Sequence, residues 1–268
     1  MTGVVWARHL HDTRRSLVWW ALGMAGLVAF TVAFYPSVKG NASFDEVIQD
    51  LPEAVRTLVG AQEGVPLTSP PGYLHGRLFS VMVPVLLIAL GIGLGARAIG
   101  GSEDDGTLEL VLAQPVTRSR VVAERFGAVV VVLAAVSAAL TAALLALAPL
   151  VGLLDGIAID RLLAANGAAF CLALLHTTLA FAVGCATGRS GPSVAVATSV
   201  AAGGYLLQGL AAISGGFPIV EGLSPWHWYL DRNVLIDGVP LPAVAGPVVL
   251  SGLLLAAGCW RFNHRDLH

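Results

Sequence analysis

Residues 126–150 have the sequence FGAVVVVLAAVSAALTAALLALAPL, which contains no charged side chain. A helix needs about 20 consecutive apolar residues to cross the hydrocarbon core of a bilayer, so this stretch predicts a membrane-spanning helix. The whole chain of 268 residues is 56% hydrophobic and 12% charged, with a mean hydropathy of +0.78. A soluble domain carries about twice that share of charge. We therefore expect an all-α polytopic membrane protein.

The same length and composition recur along the chain. The six predicted spans are Leu17–Tyr35, Leu78–Ile99, Phe126–Leu150, Leu162–Ala186, Ser193–Ile213 and Ala243–Trp260. The first span follows Arg14 and Arg15, as the core of a signal peptide would, but it ends in the bulky residues Phe34-Tyr35-Pro36 rather than in a small-residue cleavage site. We interpret it as a retained span.

Basic residues divide unequally between the two sides of the membrane. With six spans, both termini share one side with the loops after spans two and four. That side carries ten basic residues, which are Arg8, Arg14, Arg15, Arg97, Arg118, Arg120, Arg125, Arg189, Arg261 and Arg265. The opposite side carries five, which are Lys39, Arg56, Arg77, Arg161 and Arg232. The positive-inside rule therefore predicts cytoplasmic N- and C-termini.

The segments outside the spans suggest one transmembrane domain, residues 1–268. Residues 1–16 have apolar side chains at helical spacing and predict an interfacial elbow helix, unless they form a frayed basic tail. Residues 36–77 predict an external loop with short helices. Residues 100–125 predict a cytoplasmic segment between spans two and three.

The cytoplasmic segment contains the sequence GSEDDGTLELVLAQPVTRSR at residues 101–120. Gly106 interrupts the helix that leaves the membrane, and Thr107 can cap a new helix. Glu109 falls in the first turn of that helix, where the helix dipole favours an acid. Pro115 ends the run. The pattern predicts a short helix with an apolar stripe on the cytoplasmic face.

That short helix has two possible surroundings. It can seat in a groove of a partner protein, or it can rest on lipid headgroups. An anionic leaflet would repel its acidic side chains, which favours the protein partner. These acids are Glu103, Asp104, Asp105 and Glu109.

The run Gly106–Arg118 resembles the motif G-T-L-E-x-L-L-A-x-P-[VI]-[ST]-R of type 2 ATP-binding-cassette (ABC) permeases, and Glu103 fits the acid that precedes it. The likeness continues in the arginine-rich N-terminus, the six spans, Ser224–Tyr229 and Arg261–Leu267. It implies an exporter with two permease and two ATPase chains and a substrate path at the permease dimer interface. It implies coupling to the ATPase through Glu103, Gly106, Thr107, Leu108, Glu109, Leu112, Pro115 and Arg118.

The sequence independently predicts that ATP binds to a separate subunit. A phosphate-binding loop needs a lysine beside the nucleotide phosphates, and the sole lysine is Lys39, on the predicted external side. We therefore expect no cofactor on this chain, with ATP and Mg²⁺ on the partner ATPase. The chain is then not an enzyme by itself.

Other partners and sites have little support in the sequence. The net charge of −2 gives no reason to expect nucleic acid. Cys171, Cys185 and Cys259 lack metal or disulfide spacing, and His264 and His268 fall at the chain end, so we expect no metal site. Arginine supplies fourteen of the fifteen basic residues, a coding bias that hints at a GC-rich bacterium and hence the bacterial cytoplasmic membrane.

Polar residues inside the spans are candidates for the substrate path, because such residues are costly in lipid. His176 and Thr177 lie in span four, and Gln208 lies in span five. The alternative for His176 and Gln208 is a hydrogen bond to a neighbouring span. In span two, Pro84 predicts a kink, and Gly91 and Gly95 permit close approach of another helix.

Three other functions remain open on these residues. One is an ion-coupled secondary transporter, although the paired broken helices and internal repeats of such folds are not evident. Another is a non-transporting assembly or sensor subunit. The third is an intramembrane protease built on Gly188-Arg189-Ser190-Gly191, but no later span supplies a histidine as base.

Overall fold

The structure is a computed structural model that describes residues 4–52, 55–56, 64–113, 116–214, 222 and 224–265. These residues form helices and connecting turns, without a β-strand, as the sequence predicts. In chain order the helices are α1 (Val4–Phe34), α2 (Ala42–Gln49), α3 (Pro70–Leu74), α4 (Met82–Ala96), α5 (Ser102–Asp104), α6 (Thr107–Leu112), α7 (Arg118–Leu147), α8 (Ile159–Thr187), α9 (Ser190–Ser214), α10 (Pro225–Leu230), α11 (Val234–Asp237) and α12 (Leu241–His264).

Several helices have the length and apolar character of membrane spans. The described residues contain five such stretches, which are Leu17–Ser37, Pro70–Asp104, Arg118–Val151, Ile159–Thr187 and Leu241–His264. They correspond to five of the six predicted spans and confirm a multi-pass protein. The predicted span Ser193–Ile213 lies in α9 (Ser190–Ser214), which is not among these five stretches. The count of six and the cytoplasmic termini stay predictions.

The first helix differs from the expected elbow followed by a span. Helix α1 runs without a break over 31 residues, through the junction expected after residue 16. No glycine or proline occurs between Val4 and Leu17, so nothing in the sequence interrupts helix propagation there. The interfacial placement of residues 4–16 stays a prediction.

The segment 36–77 contains α2 and α3, in keeping with the expected short helices. Asp45 of α2 accepts hydrogen bonds from the backbone N–H (3.2 Å) and the hydroxyl (2.5 Å) of Thr68. The rings of Tyr35 and Tyr73 pack with their centroids 5.0 Å apart. These contacts hold the segment against the ends of α1 and α3.

The second span is irregular near Pro84. A π turn, His75–Phe79, follows α3, and α4 begins only after Val81, whose φ of −134° departs from helical geometry. Pro84 has no N–H to donate to the carbonyl of Ser80, and its ring crowds that carbonyl. The predicted kink is therefore present. A second π turn, Arg97–Gly101, joins α4 to α5.

Helix α8 is the centre of the bundle. The helices α4, α9 and α12 pack on it, whereas α1 packs mainly on α7. In the most apolar 18-residue stretch of each helix, the buried share is 72% for α8 but only 22% for α1 and for α12. A Cβ atom on Gly91 would overlap the hydroxyl of Thr177, and one on Gly95 would lie 2.5 Å from the Thr177 carbonyl oxygen. The close approach predicted for these glycines is confirmed.

Gly95→Ala is expected to lower the free energy of unfolding by about 1–3 kcal/mol, because the new methyl group meets backbone that cannot rotate away. Thermal unfolding in detergent measures the change. Gly93→Ala is the control, since no atom lies within 4 Å of a Cβ there. Alanine is a better helix former than glycine, so this control should be neutral or slightly stabilising. Equal midpoints for the two variants would contradict the packing.

Candidate functional site

The segment between α4 and α7, which the sequence predicts to be cytoplasmic, folds into two short helices with a sharp break between them. Gly106 adopts a left-handed conformation with φ of +66°, which glycine reaches without steric cost, and it ends α5 and starts α6. Thr107 is the first residue of α6 rather than its cap, and its hydroxyl donates to the Ser102 carbonyl (3.1 Å). The short helix is as predicted, but the expected cap by Thr107 is wrong.

One face of α6 is fixed into the protein. Leu108 is only 1% exposed and belongs to a compact apolar cluster where α7 begins and α8 and α12 end. The other buried members of that cluster are Ala98, Ile99, Val121, Val122, Val129, Phe181, Cys185 and Phe262. Leu108 therefore anchors the short helix to α7, α8 and α12.

The opposite face of α6 is open. Leu110 is 72% exposed, and the adjacent Glu109 and the earlier Asp105 are also exposed. The described part of the segment thus presents an apolar side chain flanked by acids. Pro115, together with the side chain of Leu112, lies outside the described residues.

Glu103 does not belong to this open face. Its carboxylate forms an ion pair with the guanidinium of Arg265, and the two side chains are 19% and 12% exposed. The pair borders a polar cavity of about 490 Å³ that Arg189 and Arg261 also line. Glu103 is thus engaged inside the chain, near the end of α12.

Arg118 makes a second connection to the same region. Its Nη1 atom donates to the carbonyls of Phe262 (3.2 Å) and Arg265 (2.7 Å). The last carbonyls of a helix have no partner within the helix, and an arginine is well suited to satisfy them. Arg118 therefore joins the start of α7 to the end of α12.

Asp104 makes the third connection, to the start of α9. Its Oδ2 atom accepts from the backbone N–H (2.9 Å) and the hydroxyl (2.6 Å) of Ser190, the first residue of that helix. This carboxylate satisfies an orphan donor at a helix N-terminus. Ser190 donates to a carboxylate and has no histidine partner among the described residues, which gives the protease hypothesis no support.

Arg125 is a further polar residue that the sequence did not single out. It is 6% exposed in α7 and donates to the carbonyl of Ala98 in the π turn after α4. Asn166 was also missed; its Nδ2 atom donates to the hydroxyl of Ser137 (2.8 Å), which links α8 to α7. Only the presence of a polar residue in an apolar run could have signalled either contact.

The three candidates for the substrate path have different surroundings. His176 is 2% exposed, with Nδ1 2.9 Å from the Leu172 carbonyl of its own helix, and it lines a cavity of about 600 Å³. Thr177 donates to the Ala173 carbonyl (2.7 Å) and packs on Gly91, so it serves helix packing. The Oε1 atom of Gln208 is buried with no partner among the described residues, so the expected bond to a neighbouring span is not seen there.

The described residues contain no group of three or more side chains that could bind a metal. His264 contacts the Trp260 carbonyl through Nδ1 (2.8 Å), and His268 lies outside the described residues.

Comparison with known proteins identifies the family. A search of curated proteins gives no match. A family model described as ABC-2 family transporter protein matches residues 4–267. That range covers nearly the whole chain and includes all the helices described above. The chain therefore belongs to the ABC-2 transporter family, as a membrane permease subunit.

Proposed function

We propose that this permease is the membrane half of an ATP-driven exporter in the bacterial cytoplasmic membrane. Its ATPase is a separate chain that binds ATP and Mg²⁺. Two permease chains and two ATPase chains form the working unit, with both permease termini in the cytoplasm and the substrate path between the permeases. The permease performs no covalent chemistry.

The two-sided geometry of α6 carries this proposal. Leu108 on one side is 1% exposed and Leu110 on the other is 72% exposed, although they lie two residues apart. A short helix that is fixed on one side and offers an apolar residue between acids on the other suits a groove in a protein. The same acids would be repelled by an anionic leaflet. Family membership supports an ABC ATPase as that protein.

The contacts of the segment supply a route for its motion. Asp104 holds the start of α9, while Glu103 and Arg118 hold the end of α12. A closing ATPase dimer that displaces α6 therefore acts on four spans. The motion reaches α4 and α7 through the chain that joins them to α6, and it reaches α9 and α12 through these contacts. Such displacement would change access to the substrate path.

Leu110→Asp and Glu109→Arg are each expected to weaken binding to the ABC ATPase about tenfold, since each changes the exposed face without touching the buried one. Co-purification and binding titration in nanodiscs measure the loss. Leu150→Asp is the control, because Leu150 is similarly exposed (76%) but lies on the predicted external side. If both variants bind the ATPase as the unaltered chain does, the coupling assignment is wrong.

A further inference from the structure

A cavity of about 600 Å³ at the level of His176 opens on the surface of the permease, where Val200 and Leu207 of its lining are 50% and 52% exposed. Its walls come from α8, α9, α10 and α12, with Leu175 and Leu179 on α8, Leu207 on α9 and Leu254 on α12. The volume falls within the range of roughly 300–1,000 Å³ that small-molecule sites occupy. The cavity therefore has the size and the apolar lining of a ligand site.

One wall of the cavity is held in place by Trp226. This side chain is 2% exposed, and its Nε1 atom donates to the carbonyl of Ala201 in α9 (2.9 Å). The ring fits against α9 because Gly204 has no side chain; a Cβ there would lie 3.0 Å from the indole. The ring of Tyr205 packs edge-on at a centroid distance of 5.1 Å. The wall is thus a fixed aromatic surface.

Three polar side chains interrupt the apolar lining, which are His176, Ser199 and Ser224. Ser224 lines the cavity, and its buried hydroxyl has no hydrogen-bond partner among the described residues. His176 lines it as well, and its Nδ1 faces the Leu172 carbonyl at 2.9 Å. A buried polar group without a partner costs about 1–3 kcal/mol, so the Ser224 hydroxyl favours a ligand with a complementary group.

The chemistry of that group follows from the histidine. A carbonyl oxygen only accepts, so the Nδ1 of His176 carries a proton, and the neutral ring then has Nε2 as an acceptor. The neutral form is the cheaper one in apolar surroundings. The Ser224 hydroxyl can donate. A ligand group that both donates and accepts, such as a hydroxyl, satisfies the two residues together.

We propose that this cavity binds a neutral, largely apolar molecule that carries a hydroxyl group, with the apolar body against Trp226 and the leucines and the hydroxyl between His176 and Ser224. The inference deepens the proposed function, since it names the substrate class of an exporter, and it rests on that function. The lining residues all belong to one protomer.

Photolabelling of the full-length permease in lipid nanodiscs tests the proposal. The probe is a medium-chain alkyl alcohol that carries a diazirine, and the matched probe is the same diazirine-bearing chain without the hydroxyl. Labelled peptides are mapped by mass spectrometry. We expect the alcohol to label α8, α9 and the 224–230 segment, with competition by the unlabelled alcohol and not by the alkane.

Variants of the cavity sharpen the test. His176→Phe keeps an aromatic ring but removes the acceptor, so about tenfold more alcohol should be needed for half-maximal competition. His176→Gln, which supplies an acceptor oxygen, should restore part of the affinity, and Ser224→Ala should weaken it independently. Leu207→Trp fills the cavity and should abolish labelling. Leu206→Trp is its control, because Leu206 and Leu207 are similarly exposed on the same helix (62% and 52%) but only Leu207 lines the cavity.

The outcomes separate this proposal from the coupling proposal, because the labelling needs no ATPase. Equal labelling by the two probes, or labelling that survives Leu207→Trp, would show only lipid contact and would overturn the cavity assignment. Competed labelling in a chain that binds no ATPase would contradict the coupling proposal and leave the cavity assignment intact.

Discussion

Replacing Glu103 with arginine is expected to lower the free energy of unfolding by about 3 kcal/mol, and adding Arg265→Glu to the same chain is expected to recover most of that loss. The reason is burial. Both side chains of the pair are less than one fifth exposed, so the single change leaves two guanidinium groups facing each other with little water between them. The double change restores opposite charges at the same two positions.

Thermal unfolding of the four chains of this double-mutant cycle gives the coupling energy directly. Glu124→Arg is the matched control, because Glu124 pairs with Arg120 one helical turn away, where the two side chains are 25% and 45% exposed. Solvent weakens such a pair to below about 1 kcal/mol. A double variant no more stable than Glu103→Arg would show that the ion pair does not hold the segment.

The same cycle separates two roles for Glu103. The resemblance to ABC permeases places Glu103 in the coupling motif, whereas the structure pairs it with Arg265 inside the chain. A charge swap that restores both stability and ATPase binding would assign Glu103 to positioning α6. A swap that restores stability alone would place Glu103 in direct contact with the ATPase. Glu109, exposed on α6, is the more direct probe of docking.

The sequence predicts the helices of this protein well, because their signal is local. A long apolar run must be helical in lipid, where each backbone polar group needs a partner within its own segment. The kink near Pro84 and the contact at Gly91 and Gly95 were predictable for the same reason, since each depends on the covalent structure of one or two residues. No helix-breaking residue marks the expected junction after residue 16, and α1 is continuous there.

The contacts that position the segment between α4 and α7 were not predictable from spacing. Arg265 lies 162 positions after Glu103, and Ser190 lies 86 positions after Asp104. Nothing in the sequence indicates which helix end a given charge will reach. The motif itself indicated the short helix, but only the structure shows that Leu108 is buried and Leu110 is exposed. His176 was a candidate by its burial in a span, whereas Ser224 had no signal of its own.

Arg125→Ala is expected to lower the free energy of unfolding by about 2–4 kcal/mol, because it removes a large buried side chain and the donor for a buried carbonyl. Arg125 is 6% exposed, and the Ala98 residue that accepts its hydrogen bond is fully buried. Ala98 lies in the π turn that joins α4 to α5, so the loss falls where span two leads into the segment that carries α5 and α6.

Two further substitutions separate packing from hydrogen bonding at this site. Arg125→Met keeps an unbranched apolar side chain and should be less destabilising than Arg125→Ala. Arg125→Lys keeps a hydrogen-bond donor, but on a shorter side chain. Arg120→Ala is the control, since Arg120 is 45% exposed and should change the free energy of unfolding by no more than about 0.5 kcal/mol. Thermal unfolding in nanodiscs measures all four variants. If Arg125→Ala is no more destabilising than Arg120→Ala, the guanidinium of Arg125 does not support the π turn. The junction between span two and α5 is then held by the apolar cluster around Leu108 alone.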